Sequence, residues 1–428
     1  MKPPREPFAN GWAPNPELKL RPWQIGCGLL ALLGLTAFVV GALGSHPLRA
    51  WQTFLVNYLF WLGIACGSVL FVAILNLTNA HWARPMKRLA EAPAAFLPVA
   101  LVLLMVLVLG REHLFPWVRQ PVAGKSWWLN VGFLFGRDGL GLLVLTATAL
   151  GLVYHSVKAD LNWISKQAAG NLAQPISPRP PTKPDAEETR NWRAQVVLSP
   201  IYAILYALVL SLIAIDFIMS LDSQWVSTLF GAYYFIGSLY TALAMLLVLA
   251  LWSRKGLGLE PFLHTNHFHD LGKLLLGFCL VTGDFFYSQF LVIWYGNLPE
   301  EAKYVILRIR FSPWEPLAWT VLVMCFALPF VVLLSRKIKM KPFPMMVLCV
   351  VILVGMWLER FLLVAPSLWK GREMPLGLME IAISTGFLGI MGGCVLTFLQ
   401  RFPIVPVGDP LMQRALEKMR SSEGLGAK

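Results

Sequence analysis

Ten runs of about 20 mainly apolar residues divide this sequence, and no other feature limits its fold as strongly. A helix rises about 1.5 Å per residue, so a run of this length crosses the roughly 30 Å hydrocarbon core of a bilayer. Only 14% of the 428 residues are charged, fewer than in soluble domains. The pattern predicts an all-α, polytopic membrane protein with about ten transmembrane helices. The predicted spans are residues 23–43, 52–77, 95–115, 132–155, 197–220, 226–252, 271–295, 314–335, 344–365 and 376–399.

The distribution of Lys and Arg predicts the orientation of these spans. An even number of spans places both termini on one face, and that face receives 25 of the 36 basic residues. Cytoplasmic loops carry such an excess, so we expect an inner-membrane protein with both termini in the cytoplasm. The first apolar run continues as a full span, so no cleavable signal peptide is expected. The predicted segments are a cytoplasmic arm (1–22), helices 1–4 (23–155), a Pro-rich charged cytoplasmic loop (156–196), helices 5–10 (197–400) and a cytoplasmic tail (401–428).

The net charge of +13 first suggests a nucleic-acid partner, but the basic residues lie in the loops between spans. Positive-inside loops explain them better, and the lipid bilayer is the expected partner. The six cysteines all lie in apolar segments without a close pair, which argues against disulfides, zinc and iron–sulfur ligation.

Histidine placement bears on haem and metal binding. A membrane b-type haem needs paired His side chains at matching depth, whereas His113 and His155 fall at opposite faces. His264, His267 and His269 have a loose metal-like spacing at a helix entrance, where helix capping is the favoured explanation over a metal site. We therefore expect no haem, no iron–sulfur cluster and no metal in this chain.

Ionisable residues inside the predicted spans are the candidate functional residues, since a charge at membrane depth is costly and is kept for a reason. Asp284 lies mid-span and should face a partner or a wet pocket. Neighbours on a helix point about 100° apart, so Glu359 and Arg360 should have different partners, with Asp284 or Glu380 a candidate for Arg360. The candidates gather in the outer half, where they serve either as ion pairs that set helix register or in proton handling. They are Asp216, His113, Asp284, Glu359, Arg360 and Glu380, together with Asp222 at the outer end of the fifth span.

Four segments together resemble a known family: residues 80–110, DFIMSLDSQWVSTLFGAYYF (216–235), HDLGKLLLGFCLVTGDFFYSQFLVIWYGNLPEE (269–301) and PVGDPLMQRALE (406–417). They are similar to the ActF family, the smaller NrfD/polysulfide-reductase-like membrane subunits (quinone-binding subunit 2) of alternative complex III, a bacterial quinol:cytochrome c oxidoreductase. The resemblance implies two four-helix bundles plus two peripheral helices. It also implies a larger NrfD-like sister subunit, a periplasmic iron–sulfur subunit, haem c subunits and small membrane subunits as partners.

The resemblance implies quinol oxidation near the periplasmic face, with ubiquinol or menaquinol as substrate. Electrons would leave through partner subunits, and this chain would bind the quinone or conduct protons. Expected quinone-binding residues are Tyr58, His113, Asp216, Trp225 and Tyr233. Asp284, Glu359, Arg360 and Glu380 would form a second proton-handling cluster in the other bundle. A purely structural anchor of the complex and a stand-alone secondary transporter are the alternatives.

Overall fold

A computed structural model describes residues 20–170 and 186–414, and within these ranges the chain is helical without any strand. It has ten helices long and apolar enough to cross a membrane, which confirms the predicted fold class. They are α1 (Arg21–Leu43), α2 (Pro47–Leu77), α3 (Arg84–Leu109), α4 (Val131–Lys166), α5 (Ala186–Leu221), α6 (Phe230–Arg254), α7 (Thr265–Gly296), α8 (Trp314–Leu334), α9 (Pro342–Leu368) and α10 (Leu378–Arg401).

The helices form two four-membered bundles with a separate pair beside them. Helices α2–α5 contact one another in a closed ring, as do α6–α9, while α1 and α10 pack on each other and on α2. The α1–α10 pair is antiparallel, since Gln24 bonds Gln400 at one end and Gly34 meets Gly386 near the middle. We call the face where α1 begins and α10 ends the termini face, and the other the opposite face.

Helix α2 is the central element, with 94% of its most apolar window buried. Its glycines allow this packing: a Cβ on Gly67 would lie 2.8 Å from the Ala242 side chain and from the Ser238 carbonyl oxygen of α6. The hydroxyls of Tyr202 and Tyr234 donate to α2 carbonyls at 2.9 Å each. Close helix approach is thus the role of the Gly63-x3-Gly67 motif, and it joins the two bundles.

Several helix boundaries differ from the predicted ones. Helix α3 begins at Arg84 rather than 95, through two 3-10 turns that contain Pro85 and Pro93. Helices α4 and α5 extend into the predicted 156–196 loop, where the ion pairs Lys158–Glu187 (3.0 Å) and Lys166–Glu188 (2.9 Å) join them. Hydropathy ends a span at the first charges, whereas the helix itself continues. The predicted arm up to residue 19, the loop centre (171–185) and the tail beyond residue 414 lie outside the described residues.

A further helix, Pro299–Arg310, connects α7 to α8; we call it the linker helix. Its sequence carries the usual signals: Pro299 at the first position, two glutamates in the first turn and Arg308 and Arg310 in the last. Arg308 is buried and donates to the carbonyls of Leu362 (3.1 Å) and Leu363 (2.9 Å), near the end of α9. The linker helix is thereby fixed to the second bundle at the opposite face.

Candidate functional site

The polar centre of the first bundle is the side chain of Asp216, fully buried near the end of α5. Arg137, in the first turns of α4, donates to both of its carboxylate oxygens, at 2.6 and 2.5 Å. The Trp128 indole N–H adds a third hydrogen bond of 3.1 Å, and the guanidinium lies 3.8 Å from the Trp128 ring centroid. The bidentate hydrogen bonds from Arg137 and the indole N–H of Trp128 together fix the Asp216 carboxylate in one orientation.

Asp138 lies beside Asp216, and we call the two the acid pair. Its side chain is buried, and neither of its carboxylate oxygens accepts a hydrogen bond from a donor group among the described residues. Two adjacent carboxyls share a hydrogen bond only when one of them carries a proton. Because Arg137 already neutralises Asp216, Asp138 is the member of the acid pair that has no cation bonded to it.

Tyr58 completes this environment from the central helix α2. Its phenol is fully buried, interacts electrostatically with Asp138, and has a hydroxyl without a hydrogen-bond partner in the described chain. Its ring lies 6.4 Å from that of Phe217, the residue after Asp216. A hydroxyl and a carboxyl are therefore both buried and unsatisfied in the same part of the bundle, an arrangement that needs an explanation beyond packing.

A cavity of about 240 Å³ adjoins the acid pair at the opposite face. The segment before α4 and the end of α5 supply most of its walls, and Trp128 both lines it and bonds Asp216. The Lys125 ammonium donates to the Ser223 carbonyl at 2.6 Å. Apolar walls with a few polar groups are typical of small-molecule sites. The lining residues are Lys125, Trp127, Trp128, Leu129, Ile215, Met219, Ser220, Ser223, Trp225 and Val226.

The five residues predicted for the quinone do not form one pocket. Asp216 and Tyr58 belong to the acid-pair region, and Trp225 lines the cavity while its ring stacks on Tyr304 at 3.7 Å. Tyr233 lies in the other bundle, where its hydroxyl donates to Glu359 at 2.6 Å. His113 is half-buried after the end of α3 and makes no side-chain hydrogen bond within the described chain.

The predicted second cluster is also only partly assembled. Arg360 pairs with its own neighbour, Nη1 lying 2.5 Å from Glu359 Oε2, so the expected pairing of Arg360 with Asp284 or Glu380 is wrong. The backbone directions do diverge, but the long arginine side chain bends back to the carboxylate. The guanidinium lies 4.3 Å from the Tyr234 ring centroid. Neither Asp284 nor Glu380 contacts this pair.

Glu380 and Asp284 have different surroundings from those expected. Glu380 is buried, accepts two hydrogen bonds from Arg49 (2.8 and 2.9 Å) and caps α10 through the Gly377 N–H. It ties α10 to the start of α2. Asp284 is exposed on the outer surface of α7, and the described residues supply neither a partner nor a pocket for it.

Asp222 is separate from Asp216 and lies at the linker helix, half-buried and facing Tyr304 and Arg308. Burial lowers the pKa of the Arg308 guanidinium, against the raising effects of Tyr304 and Asp222. Burial also raises the pKa of Tyr304 to about 12. The Tyr304 hydroxyl therefore stays protonated at neutral pH.

The termini face holds a buried ion network whose residues come from two predicted loops and the predicted C-terminal tail. Asp409 accepts hydrogen bonds from Lys87 (2.7 Å) and Arg84 (3.0 Å), and Arg88 pairs with Glu91 and Asp160. Asp160 also accepts the Gly408 N–H at 2.7 Å. Burial alone would raise the pKa of Asp409, but Lys87 and Arg84 outweigh it and hold the pKa at about 2. Buried acids therefore occur at both faces, and not only in the predicted outer half.

Replacing Asp409 with Asn should destabilise the protein by about 3–5 kcal/mol, because it leaves two buried cations without their counter-ion. The measurement is the thermal unfolding midpoint of the purified protein in mild detergent. Asp270→Asn is the control, since Asp270 pairs with Lys273 where both are solvent-accessible and such pairs contribute about 0–1 kcal/mol. The Asp409 contribution is present above the ordinary pKa of 3.8 and is lost as the pH falls towards about 2. Equal midpoints for the two variants would contradict the assignment.

The helices and their buried ion pairs define a polytopic membrane subunit with a polar site near one face. Residues 42–370 match the family described as Polysulphide reductase, NrfD, and the chain belongs to that family. It is accordingly a membrane subunit of a quinone-interacting oxidoreductase complex, of the kind that partners with iron–sulfur subunits. A comparison with curated protein sequences finds no match.

Sequence reasoning missed Arg137, Asp138, Trp128 and the termini-face network. Arg137 and Asp138 lie within a predicted span, so the rule that singled out Asp216 applied to them equally. Trp128 had no such signal, because it lies in a connecting segment whose path is set by tertiary packing.

Proposed function

We propose that this chain binds quinol and takes up its protons within a complex of the alternative complex III type, as the ActF-like membrane subunit. The observation that carries the proposal is the acid pair, a buried carboxyl without a donor beside an arginine-held carboxylate, next to a cavity at one face. Membership of the NrfD family supports the quinone as the ligand class.

The cavity supplies the contacts that a quinol ring needs. Trp127, Trp128 and Trp225 give flat apolar surfaces for the ring, and the volume of about 240 Å³ suits a headgroup whose isoprenoid tail stays in the bilayer. The Ser220 hydroxyl lines the cavity and is hydrogen-bonded to the backbone carbonyl of Asp216 at 2.6 Å. Ser220 therefore links the cavity wall to the backbone of Asp216, one member of the acid pair.

Oxidation of one quinol yields one quinone, two electrons and two protons. The electrons pass to the iron–sulfur and haem c subunits of the assembly, and this chain handles the protons. Asp138 accepts and releases the two protons one after the other, Asp216 remains the arginine-bound anion beside it, and Tyr58 adds a buried, unpaired hydroxyl to the same region. Release follows towards the opposite face, which the excess of basic residues at the termini face makes the periplasmic side.

Proton conduction across the membrane is the second candidate function, and helix α4 favours it. Between Asp138 and Asp160 the buried hydroxyls of Thr146 and Ser156 have no hydrogen-bond partner within the described chain. At about 1.5 Å per residue, these four side chains cover roughly 33 Å along the helix, close to the thickness of the hydrocarbon core. Buried, unpaired polar groups at this depth are typical of a proton path.

Filling the cavity tests where the quinol binds. Met219→Trp adds bulk to the cavity wall, and we expect the KM for quinol to rise about ten-fold or more in the purified complex, with a smaller change in kcat. Val102→Trp adds the same bulk on the exposed face of α3 and should leave KM unchanged. A photoreactive quinone should label residues 127–129 and 215–220. An unchanged KM together with labelling elsewhere would place the quinol site outside this cavity.

A further inference from the structure

Helix α7 exposes a carboxyl in the middle of the membrane. Asp284 lies 11 residues after Lys273 and 12 before Gly296, or about 16 and 18 Å from the two ends of the apolar part of the helix. It is exposed, and no described residue bonds it. An ionisable residue in contact with hydrocarbon costs several kcal/mol, so this surface is poorly suited to lipid.

Helix α1 shows what a lipid-facing surface of this chain looks like. The most apolar windows of α1 and α7 are equally little buried, at 17% each. Beyond Arg21, α1 carries no acidic or basic residue, and its exposed side chains are almost all apolar, such as Leu29 (63% exposed) and Leu35 (59%). The two helices have the same exposure, but the otherwise apolar outer face of α7 carries the Asp284 carboxyl at mid-span, which indicates that protein covers this face.

The packing of α7 against α8 fixes the direction of Asp284. A Cβ on Gly283 would lie 2.5 Å from the Phe326 ring, so α7 meets α8 closely at that residue and Asp284 points outward beside it. Gly277, two turns earlier, is also exposed and has no atom near its Cβ position. A small residue on an exposed helix face allows a second helix to approach closely.

The Asp284 carboxyl on the outer face of α7 indicates what kind of helix covers that face. A buried carboxylate is stabilised by a cationic side chain at hydrogen-bonding distance. If a second copy of this chain packed its α7 against this one, two Asp284 carboxyls would meet. The nearest cation on α7, Lys273, lies about 16 Å along the helix from Asp284. Helix α8, Trp314–Leu334, has no Lys or Arg.

We propose that a transmembrane helix of a different membrane subunit covers the outer face of α7 and places a Lys or Arg side chain against Asp284. The interface is a property of the helix surface, and it stands whether or not this chain binds quinol. Asp284 then acts as an assembly contact that selects the partner helix and its register.

Site-specific crosslinking in native membranes tests the surface. A photoreactive amino acid at Leu280 or Tyr287, one turn to each side of Asp284, should form an adduct with one membrane subunit that co-purifies stoichiometrically with this chain. The same probe at Leu29 or Leu33 of α1 should give lipid adducts only. Lipid adducts alone at the α7 positions, or adducts with a second copy of this chain, would overturn the proposal.

Charge exchange tests the cation. Asp284→Lys should reduce co-purification of the crosslinked subunit by about ten-fold or more, because two like charges then meet in the membrane. Changing the Lys or Arg of the crosslinked helix to Asp should restore assembly with Asp284→Lys. Val292→Lys, on an exposed position about two turns away, is the matched control for a lysine on this helix. Wild-type co-purification of Asp284→Lys would overturn the ion pair.

Discussion

Under the proposed function, replacing Asp138 with Asn should lower the quinol oxidation rate of the assembled complex by about 10²–10⁴-fold, the range for loss of a general base. Asn keeps the shape of the side chain but cannot bind and release the proton that the acid pair shares. The chain should still fold and assemble, because no described donor group bonds the Asp138 oxygens. The measurement is steady-state quinol:cytochrome c reduction with purified complex, together with proton release after a single turnover.

Glu315→Gln is the matched control for Asp138→Asn. It removes another carboxyl at the opposite face, from the start of α8, where the side chain is exposed and belongs to no cluster among the described residues. We expect its rate and proton release to stay at the wild-type level. Full quinol oxidation and normal proton release in Asp138→Asn would exclude the acid pair from proton transfer.

Replacing Arg360 with Met destabilises the second bundle by about 3–5 kcal/mol, because Glu359 is then buried without a cation. Both side chains are almost fully buried, at 3% and 4% exposed for Arg360 and Glu359, so solvent cannot replace the lost charge. Little of the variant should remain folded in membranes. The measurement is detergent-extracted folded protein by size-exclusion chromatography, followed by thermal unfolding of what is recovered.

The double variant Glu359→Gln/Arg360→Met should recover most of this loss, since it removes both charges of the buried pair. The Tyr233 hydroxyl, which donates to Glu359 in the wild type, can still donate to the amide oxygen of the new glutamine side chain. Arg372→Met, an exposed arginine after α9, should behave as the wild type. A double variant as unstable as Arg360→Met would mean that the arginine acts through Tyr234 and Ser238 rather than through Glu359.

Hydropathy was sufficient to predict the number and order of the helices, because the bilayer imposes a length and a polarity on every span. Boundaries were less predictable, since α4 and α5 continue beyond the apolar runs as charged helices. The linker helix had clear capping signals, but its length is too short for a hydropathy search to select it.

Pairing between helices was the least predictable part of the site. Asp216 was singled out as an acid within a span, yet its partners Arg137 and Trp128 come from a different helix and a connecting segment. Arg360 bonded its neighbour because side-chain length outweighed the angular separation on the helix. Asp284 pairs with no cation within the described chain. Its position in the sequence therefore could not show whether it faces the bundle or the outer surface of α7.

The contact of Asp409 with Lys87 and Arg84 can form only late in the synthesis of the chain. The two cations enter with α3, early in synthesis, whereas Asp409 follows all ten spans. Until the ribosome has completed the last helix, Lys87 and Arg84 at the termini face lack this counter-ion. The termini face of the first bundle is therefore completed last, and truncation before Asp409 should leave a chain that is inserted but open to quality-control proteases.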